Sequence, residues 1–388
     1  MLDILLLSCQ AIAVANAQLR PLTRLRSNRF VPTQASLGKD DPLQRQQKIR
    51  ILPSKNSNHN GSVEAEQEDE LLHVFVGYKS QVGRKSLQAM INVTHKHDFA
   101  EVHAMALVIP RSKLNDLAVD PEIMYVETDD ILQPDYLIGT HGEVTPYGIV
   151  LSQNFDQAVT LDFETSSTAS KSSIRRKQQT RNQSNLQSST SPIGCNNKKS
   201  FRVAIIDSGY SVGHPDLACQ SRNDPHCVGA EFGLTNNSWK WYNPIQNIHG
   251  THVAGTIGAI GGNGKGVVGM VPDNDICYVI GRVFGESGGA FTSDILNAIR
   301  WAVTEQHANV VNLSLSGMAY DETSDNFFSW IYSTNHLVVA SSGNTGKNEY
   351  RFPAAFATVV SVSAVDAQSN IATFSTTNDR VDLCGPGM

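Results

Sequence analysis

Beyond residue 17 the sequence has no apolar run long enough to cross a bilayer, so no membrane span is expected in a mature chain. Basic charge is not in excess either. Lys and Arg number 31 against 37 Asp and Glu, a formal net charge of −6, which removes the electrostatic reason to expect nucleic acid as a partner. The first strong strand pattern is followed by Asp207-Ser208-Gly209-Tyr210 rather than by spaced glycines, which argues against a doubly wound nucleotide-binding protein. The loop Gly261-Gly262-Asn263-Gly264-Lys265-Gly266 is no phosphate cradle, because it lacks both the spaced upstream glycine and a following Ser or Thr.

Cysteine is scarce, with six in the chain. Residues 1–17 are apolar and end in Ala15-Asn16-Ala17, a small-residue cleavage pattern, so they are expected to be a secretory signal that carries Cys9 away. Cys195, Cys219, Cys227, Cys277 and Cys384 remain, an odd number that leaves one unpaired in an oxidising compartment. Cys219 and Cys227 flank a short polar loop and are expected to bridge, whereas Cys277 and Cys384 sit in apolar strand patterns and are expected to be buried free thiols. Sequons at Asn60, Asn92, Asn182 and Asn236 fit a secretory route; Asn312 also forms one, but in a strand expected to be buried.

Residues 18–62 hold nine Lys and Arg against Asp40 and Asp41, without apolar periodicity, and an acidic run follows from Glu64 to Glu70. Residues 18–70 are therefore expected to be a solvated, disordered segment. From Leu71 the pattern changes. Strands are expected at His73–Tyr78, His95–Phe99, Val102–Ile109 and Glu122–Ile131, with helices at Lys85–Ile91 and Arg111–Val119, a βαββαβ ferredoxin-like unit. Residues 164–192 contain nine serines, five Lys and Arg and one acid, a composition that cannot bury a core, and are expected to be an inserted surface loop or linker in which Ile174-Arg175-Arg176-Lys177 is either an exposed basic cut site or a solvated charge cluster.

Further on, strands alternate with helices, which calls for a parallel doubly wound sheet of the α/β class. Expected strands are Phe201–Asp207, Ile276–Val283, Val310–Ser314, Leu337–Ser341, Val359–Ala364 and Arg380–Leu383, and Ser293 is expected to N-cap a helix that buries Ile295, Ile299, Ala302 and Val303. The stretch His249-Gly250-Thr251-His252-Val253-Ala254-Gly255-Thr256 reads as a buried helix of small residues opened by a histidine. Asp207 ends a β-branched strand, where ligands of open α/β sheets bind. An Asp closing a strand and a His opening a helix suit the orienter and base of a hydrolytic triad. Metal binding by His249 and His252 is the rival, but three-residue spacing puts them on adjacent faces with no acidic third ligand nearby, so His252 is expected to pack.

These boxes resemble those of the subtilisin-like serine proteases: Val203-Ala204-Ile205-Ile206-Asp207-Ser208-Gly209, the histidine box, and the pair Val310–Gly317 and Val338–Gly346, in the order of that family. The resemblance implies a secreted serine endopeptidase acting on protein or peptide substrates, with a subtilisin-like sheet over residues 145–388. It makes Asp207 and His249 catalytic and Asn344 the side-chain donor to the oxyanion. Gly288, Gly289, Ser314, Leu315 and Ser316 would clasp an extended substrate backbone, Arg351 would fall on the pocket wall and favour acidic side chains, and Asp216 and Asn263 would belong to a structural calcium site. Residues 71–135 resemble the inhibitory propeptide of such enzymes, so the chain's own propeptide is an expected partner, with Thr145-Pro146-Tyr147-Gly148-Ile149 opening the mature enzyme. The family's serine box is expected beyond Pro386-Gly387, since no stretch of residues 1–388 matches it. A pseudoprotease or a peptide-binding inhibitor with the same fold is the alternative reading.

Overall fold

The computed structural model describes residues 49–51, 70–134, 194–195, 200–234, 240–242, 248–271, 276–285, 288–317 and 319–387. The expected signal sequence, the 145–149 start, the 164–192 insert with its basic site, and the sequons at Asn60, Asn182 and Asn236 lie outside these residues.

The first unit is a five-stranded sheet in the order β1-β5-β2-β4-β3, built from β1 (Ile49–Arg50), β2 (Leu71–Tyr78), β3 (Thr94–Phe99), β4 (Ala104–Pro110) and β5 (Ile123–Thr128). Helices α1 (Gln81–Gln88) and α2 (Leu114–Val119) complete the expected strand–helix–strand–strand–helix–strand order. Ser80 sets the start of α1, its hydroxyl accepting the Val82 N–H at 3.1 Å, four residues before the sequence pattern placed it. Val74, Val76, Leu87, Leu107, Ile109, Leu117 and Val126 form its apolar core. Residues 49–51 correct the expectation of disorder up to residue 70: Ile49 and Ile51 pack on this core, and β1 pairs in parallel with Val126 and Glu127.

The strand expected over Glu122–Ile131 is broken at Asp129-Asp130, and a separate strand, β6 (Ile131–Pro134), leaves the first sheet. It lies in a second, three-stranded sheet, antiparallel to both β10 (Ala290–Phe291) and β12 (Leu315–Ser316).

The third sheet has seven parallel strands in the order β15-β14-β13-β11-β7-β9-β8. These are β7 (Phe201–Asp207), β8 (Cys227–Glu231), β9 (Ile276–Arg282), β11 (Val310–Leu313), β13 (Leu337–Ser341), β14 (Val360–Val365) and β15 (Leu383–Pro386). Alternation along β7 explains the layers: Val203 and Ile205 pack with Val253, Ala254 and Ile257 of α3 (His249–Gly258), while Ala204 and Ile206 face α4 (Thr292–Thr304) and α5 (Glu322–Ser333). Helices therefore cover both faces, as expected of a doubly wound sheet. After β9 the order passes back across β7 to β11, so the chain's direction of travel switches at β7, and in such sheets a crevice opens at the strand ends there.

Several sequence expectations are corrected. Strand β8 was not expected, because its Gly229 and Glu231 break the apolar run. The last strand runs over Leu383–Pro386 rather than Arg380–Leu383, since Asp382 accepts the Ser361 N–H and sets the register with β14. Cys277 is not a free thiol: it bridges Cys195. Cys384 is free as expected but exposed rather than buried, because β15 is the edge strand. The expected Cys219–Cys227 bridge is present. Asn92 is exposed and Asn312 fully buried, in line with their sequons.

Candidate active site

Asp207 closes β7 and His249 opens α3, and the fold brings them into contact. His249 Nδ1 lies 2.9 Å from each carboxylate oxygen of Asp207. Asp207 is fully buried and the His249 side chain is 8% exposed. Oδ1 also accepts the Ser208 N–H at 2.6 Å, and the Ser208 hydroxyl accepts the Gly250 N–H at 3.0 Å, so the strand end and helix start are tied directly together. The approach is close enough to require glycine: a Cβ on Gly250 would lie 2.4 Å from the Gly209 carbonyl oxygen. An acceptor at Nδ1 fixes the proton there and makes Nε2 the basic nitrogen. His252, one turn on, has its pKa lowered by burial and by the neighbouring His249, consistent with a neutral packing role.

Asn344 follows the Gly343 turn at the end of β13. Both its amide oxygen and its amide nitrogen are buried without a partner among the described residues. A buried amide in that state needs a partner from elsewhere, and a ligand oxygen is one that would serve.

Two of the residues expected to hold a peptide backbone, Leu315 and Ser316, pair here with β6. Leu315 pairs with Pro134 and Ser316 with Gln133 on one side; Ala290 pairs with Leu132 and Phe291 with Ile131 on the other. Gly289 lies against the same strand: a Cβ there would meet Ile131 and Gln133 at 2.5 and 2.7 Å. Gly288 is a step further out: a Cβ there would lie 3.8 Å from Gln133 Oε1. Ser314 does not pair with β6; it is buried, and its hydroxyl accepts from Asn312 Nδ2 at 3.1 Å. The side chain of Leu132 is buried in the main apolar cluster, in space that only glycine at 317 leaves open.

Contacts that sequence reading missed join the first unit to the helices beside this clasp. Ser293 is not the N-cap of α4. Helix α4 starts at Thr292, and both the N–H and the hydroxyl of Ser293 donate to Asp129, at 2.9 and 2.6 Å. The Thr292 N–H goes to the Asp130 carbonyl. At α5, Glu127 accepts the N–H groups of Glu322 and Thr323 at 3.1 and 2.9 Å, beside the Asp321 cap. Carboxylates suit helix N-termini, which carry unsatisfied donors and the positive dipole end. Burial nevertheless pushes the pKa of both Glu127 and Asp129 up. Lys96 adds contacts to Ser293, Asp129 and Asp294, and His97 lies 2.7 Å from Asp294. Burial alone would raise Asp294, but the hydrogen bond from His97 and the Lys96 charge outweigh it and hold the carboxyl low. No sequence motif marks these residues; the acidic pair Asp129-Asp130 just before an apolar strand was the available signal.

Asp216 and Asn263 also meet, but not as cation ligands. Asn263 turns its Nδ2 to Asp216 Oδ1 at 2.8 Å, Val267 N–H takes Oδ2 at 2.7 Å, and Asn263 Oδ1 accepts the Lys265 N–H. Asp216 Oδ1 and Oδ2 and Asn263 Oδ1 each already accept a hydrogen bond, and these three oxygens with a single carboxylate charge fall short of the roughly six to eight that calcium takes. The pair does not fit a calcium ion. It clamps the 261–266 loop to the chain after β7.

A buried carboxylate–histidine pair at the switch point of a doubly wound sheet, beside a two-strand clasp, defines a subtilisin-like α/β protein. A sequence model of the subtilase family, Peptidase S8, matches residues 198–388. Halolysin of Haloferax mediterranei is 34% identical over 190 residues, 48% of this chain and 35% of halolysin. Subtilisin DY of Bacillus licheniformis is 35% identical over 191 residues, 48% of this chain and 64% of that protein. Minor extracellular protease Epr of Bacillus subtilis is 28% identical over 319 residues, 81% of this chain and 42% of Epr. Residues 198–388 are thus similar in sequence to the subtilase family, and the chain spans less than two thirds of each of these relatives.

Proposed function

We propose that the chain is the precursor of a secreted serine endopeptidase, with Asp207 and His249 as orienter and base, and with residues 71–134 as its inhibitory segment. The observation that carries the reading is the Asp207–His249 pair, 2.9 Å apart and almost wholly shielded from water, in a crevice whose clasp already holds an extended strand. The nucleophile that this reading requires is a serine within reach of His249 Nε2. Its hydroxyl would attack the scissile carbonyl carbon as His249 Nε2 takes the proton, and Asp207 would stabilise the imidazolium. The C–N bond then breaks, the same proton passes to the leaving amine, and water releases the acyl group by the reverse sequence of transfers. Asn344 Nδ2 would donate to the oxyanion, the placement in which a donor counts most because it is buried and preorganised.

In this reading β6 lies where a substrate would, so the first unit blocks the crevice it completes. The extracellular name of Epr, the 1–17 pattern, and the lack of any helix long and apolar enough to cross a membrane among the described residues support secretion. The test is expression of the full polypeptide in a secreting host. Casein should be degraded, a fluorophosphonate should label the product, and the 71–134 segment should be separated from the 198–387 domain. A secreted, uncleaved protein inert to both reagents would contradict the reading.

A further inference from the structure

Arg351 occupies a place in the crevice that the triad and the clasp do not explain. Gly317, the residue after β12, forms an antiparallel bridge with Phe352, through N–H to carbonyl bonds of 2.8 and 3.0 Å in the two directions. That bridge sets Arg351 beside Ser316, and its Nη2 lies 3.3 Å from the Ser316 hydroxyl. Its stem runs across to the other wall: Cγ lies 3.0 Å from where a Cβ on Gly343 would be, one residue before Asn344. The side chain therefore spans the gap between the clasping strand and the turn that presents the unpaired amide.

Charge is poorly matched there. Nε is buried with no partner, and the nearest carboxylate among the described residues, Glu349, is 4.0 Å from Nη1. A guanidinium at 15% side-chain exposure with an orphan N–H is short of acceptors, and a carboxylate is the acceptor its fork best fits. The direction of β6 shows what would reach it. The strand runs past Ser316 and then Leu315, so a substrate extended in the same direction would bring its following residue level with Ser314. On the endopeptidase reading, that residue offers its carbonyl to Asn344 and its side chain to the gap that Arg351 spans. In the chain's own sequence the residue after Pro134 is Asp135, an acid, although its placement is outside the described residues.

We propose that Arg351 is a specificity-determining residue that selects Asp or Glu on the carboxyl-terminal position of the acyl half, so that cleavage falls after acidic residues. This rests on the endopeptidase reading above and names its substrate class. A buried charge left without its counter-charge penalises the wrong substrate more than an apolar pocket would, so discrimination should be large.

The experiment measures kcat/KM of the secreted protease on peptides Ile-Leu-Gln-Pro-Xaa bearing an amide-linked fluorophore, with Xaa as Asp, Asn, Phe or Lys. The Asp peptide should be cleaved at least about tenfold faster than the Asn peptide. The ratio should survive in Arg351→Lys, collapse in Arg351→Gln, and give way to a preference for Lys in Arg351→Glu. Ratios are unaffected by any loss of folded enzyme, so a poorly folding variant still reports. Equal rates for Asp and Asn in the wild type, or an Asp preference retained in Arg351→Glu, would overturn the selection while leaving the endopeptidase reading intact. No cleavage of any peptide would overturn the endopeptidase reading, and the selection with it.

Discussion

Asp129 holds the first turn of α4 through Ser293, with one carboxylate oxygen on the backbone N–H at 2.9 Å and the other on the hydroxyl at 2.6 Å. The helix start of one unit is thus finished by a side chain from another. Glu127 repeats the device at α5.

Removing that carboxylate should loosen the junction. In Asp129→Ala the Ser293 N–H stays buried without an acceptor and Lys96 loses a counter-charge, a cost of about 1–3 kcal/mol. The first unit should then be released or digested by a probe protease roughly five- to 150-fold faster when opening and reclosing are fast relative to cleavage. A rate equal to wild type would remove Asp129 from the account.

His73 gives the same junction an acid limit. Its ring stacks on Phe291 with centroids 4.0 Å apart, and its Nδ1 is buried without a partner. Burial, with Lys96 adding to it, lowers its pKa below 6.5; Asp129 and Asp294 pull the other way more weakly. A depressed histidine pKa means that the separated state takes up the proton first, so this stabilisation is lost as pH falls below about 6.5. Glu127 and Asp129 have raised values and act oppositely, favouring the junction as they protonate. Acidification from pH 7.5 to pH 5.5 should lower the melting temperature less, or raise it more, in His73→Phe, which keeps the stack and cannot titrate, than in the wild type. An equal shift in the two would contradict the assignment.

The Cys195–Cys277 bridge closes 82 residues of sequence separation and ties the chain just before β7 to β9. Loop-closure entropy assigns it about 4 kcal/mol. Its removal by Cys195→Ser with Cys277→Ser should lower Tm on the order of 10 °C. Alkylation without reduction should modify one of the five cysteines from Cys195 onward, Cys384. Two or more modified thiols would contradict the pairing.

The sequence carried most of the sheet and the Asp207–His249 pair because both rest on local patterns. The β-branched run Val203-Ala204-Ile205-Ile206 and the small-residue helix after His249 each report their own burial. What it hid depends on contacts remote in sequence. Ser293 has the chemistry of a cap, and only the structure shows its own helix using Asp129 instead, 164 residues away. Cys277 lies in an apolar strand like any buried thiol, and its partner Cys195 lies outside every strand pattern. Asp216 and Asn263 are oxygen-bearing residues at suggestive positions, and it is the direction of one amide that turns a cation site into a clamp.

The central claim is that His249, oriented by Asp207, is the base of a peptide hydrolase. The most direct measurement is kcat of His249→Ala in the secreted protease, beside its KM and Tm. The account predicts a fall in kcat on the order of 10⁶, the magnitude established for removing the base of subtilisin itself rather than one obtained from this structure. KM should stay near wild type, since the ring meets the substrate only at the reacting atoms, while Tm should fall because Asp207 is left buried without its partner. A variant that keeps its fold and a tenth or more of wild-type kcat would contradict the claim.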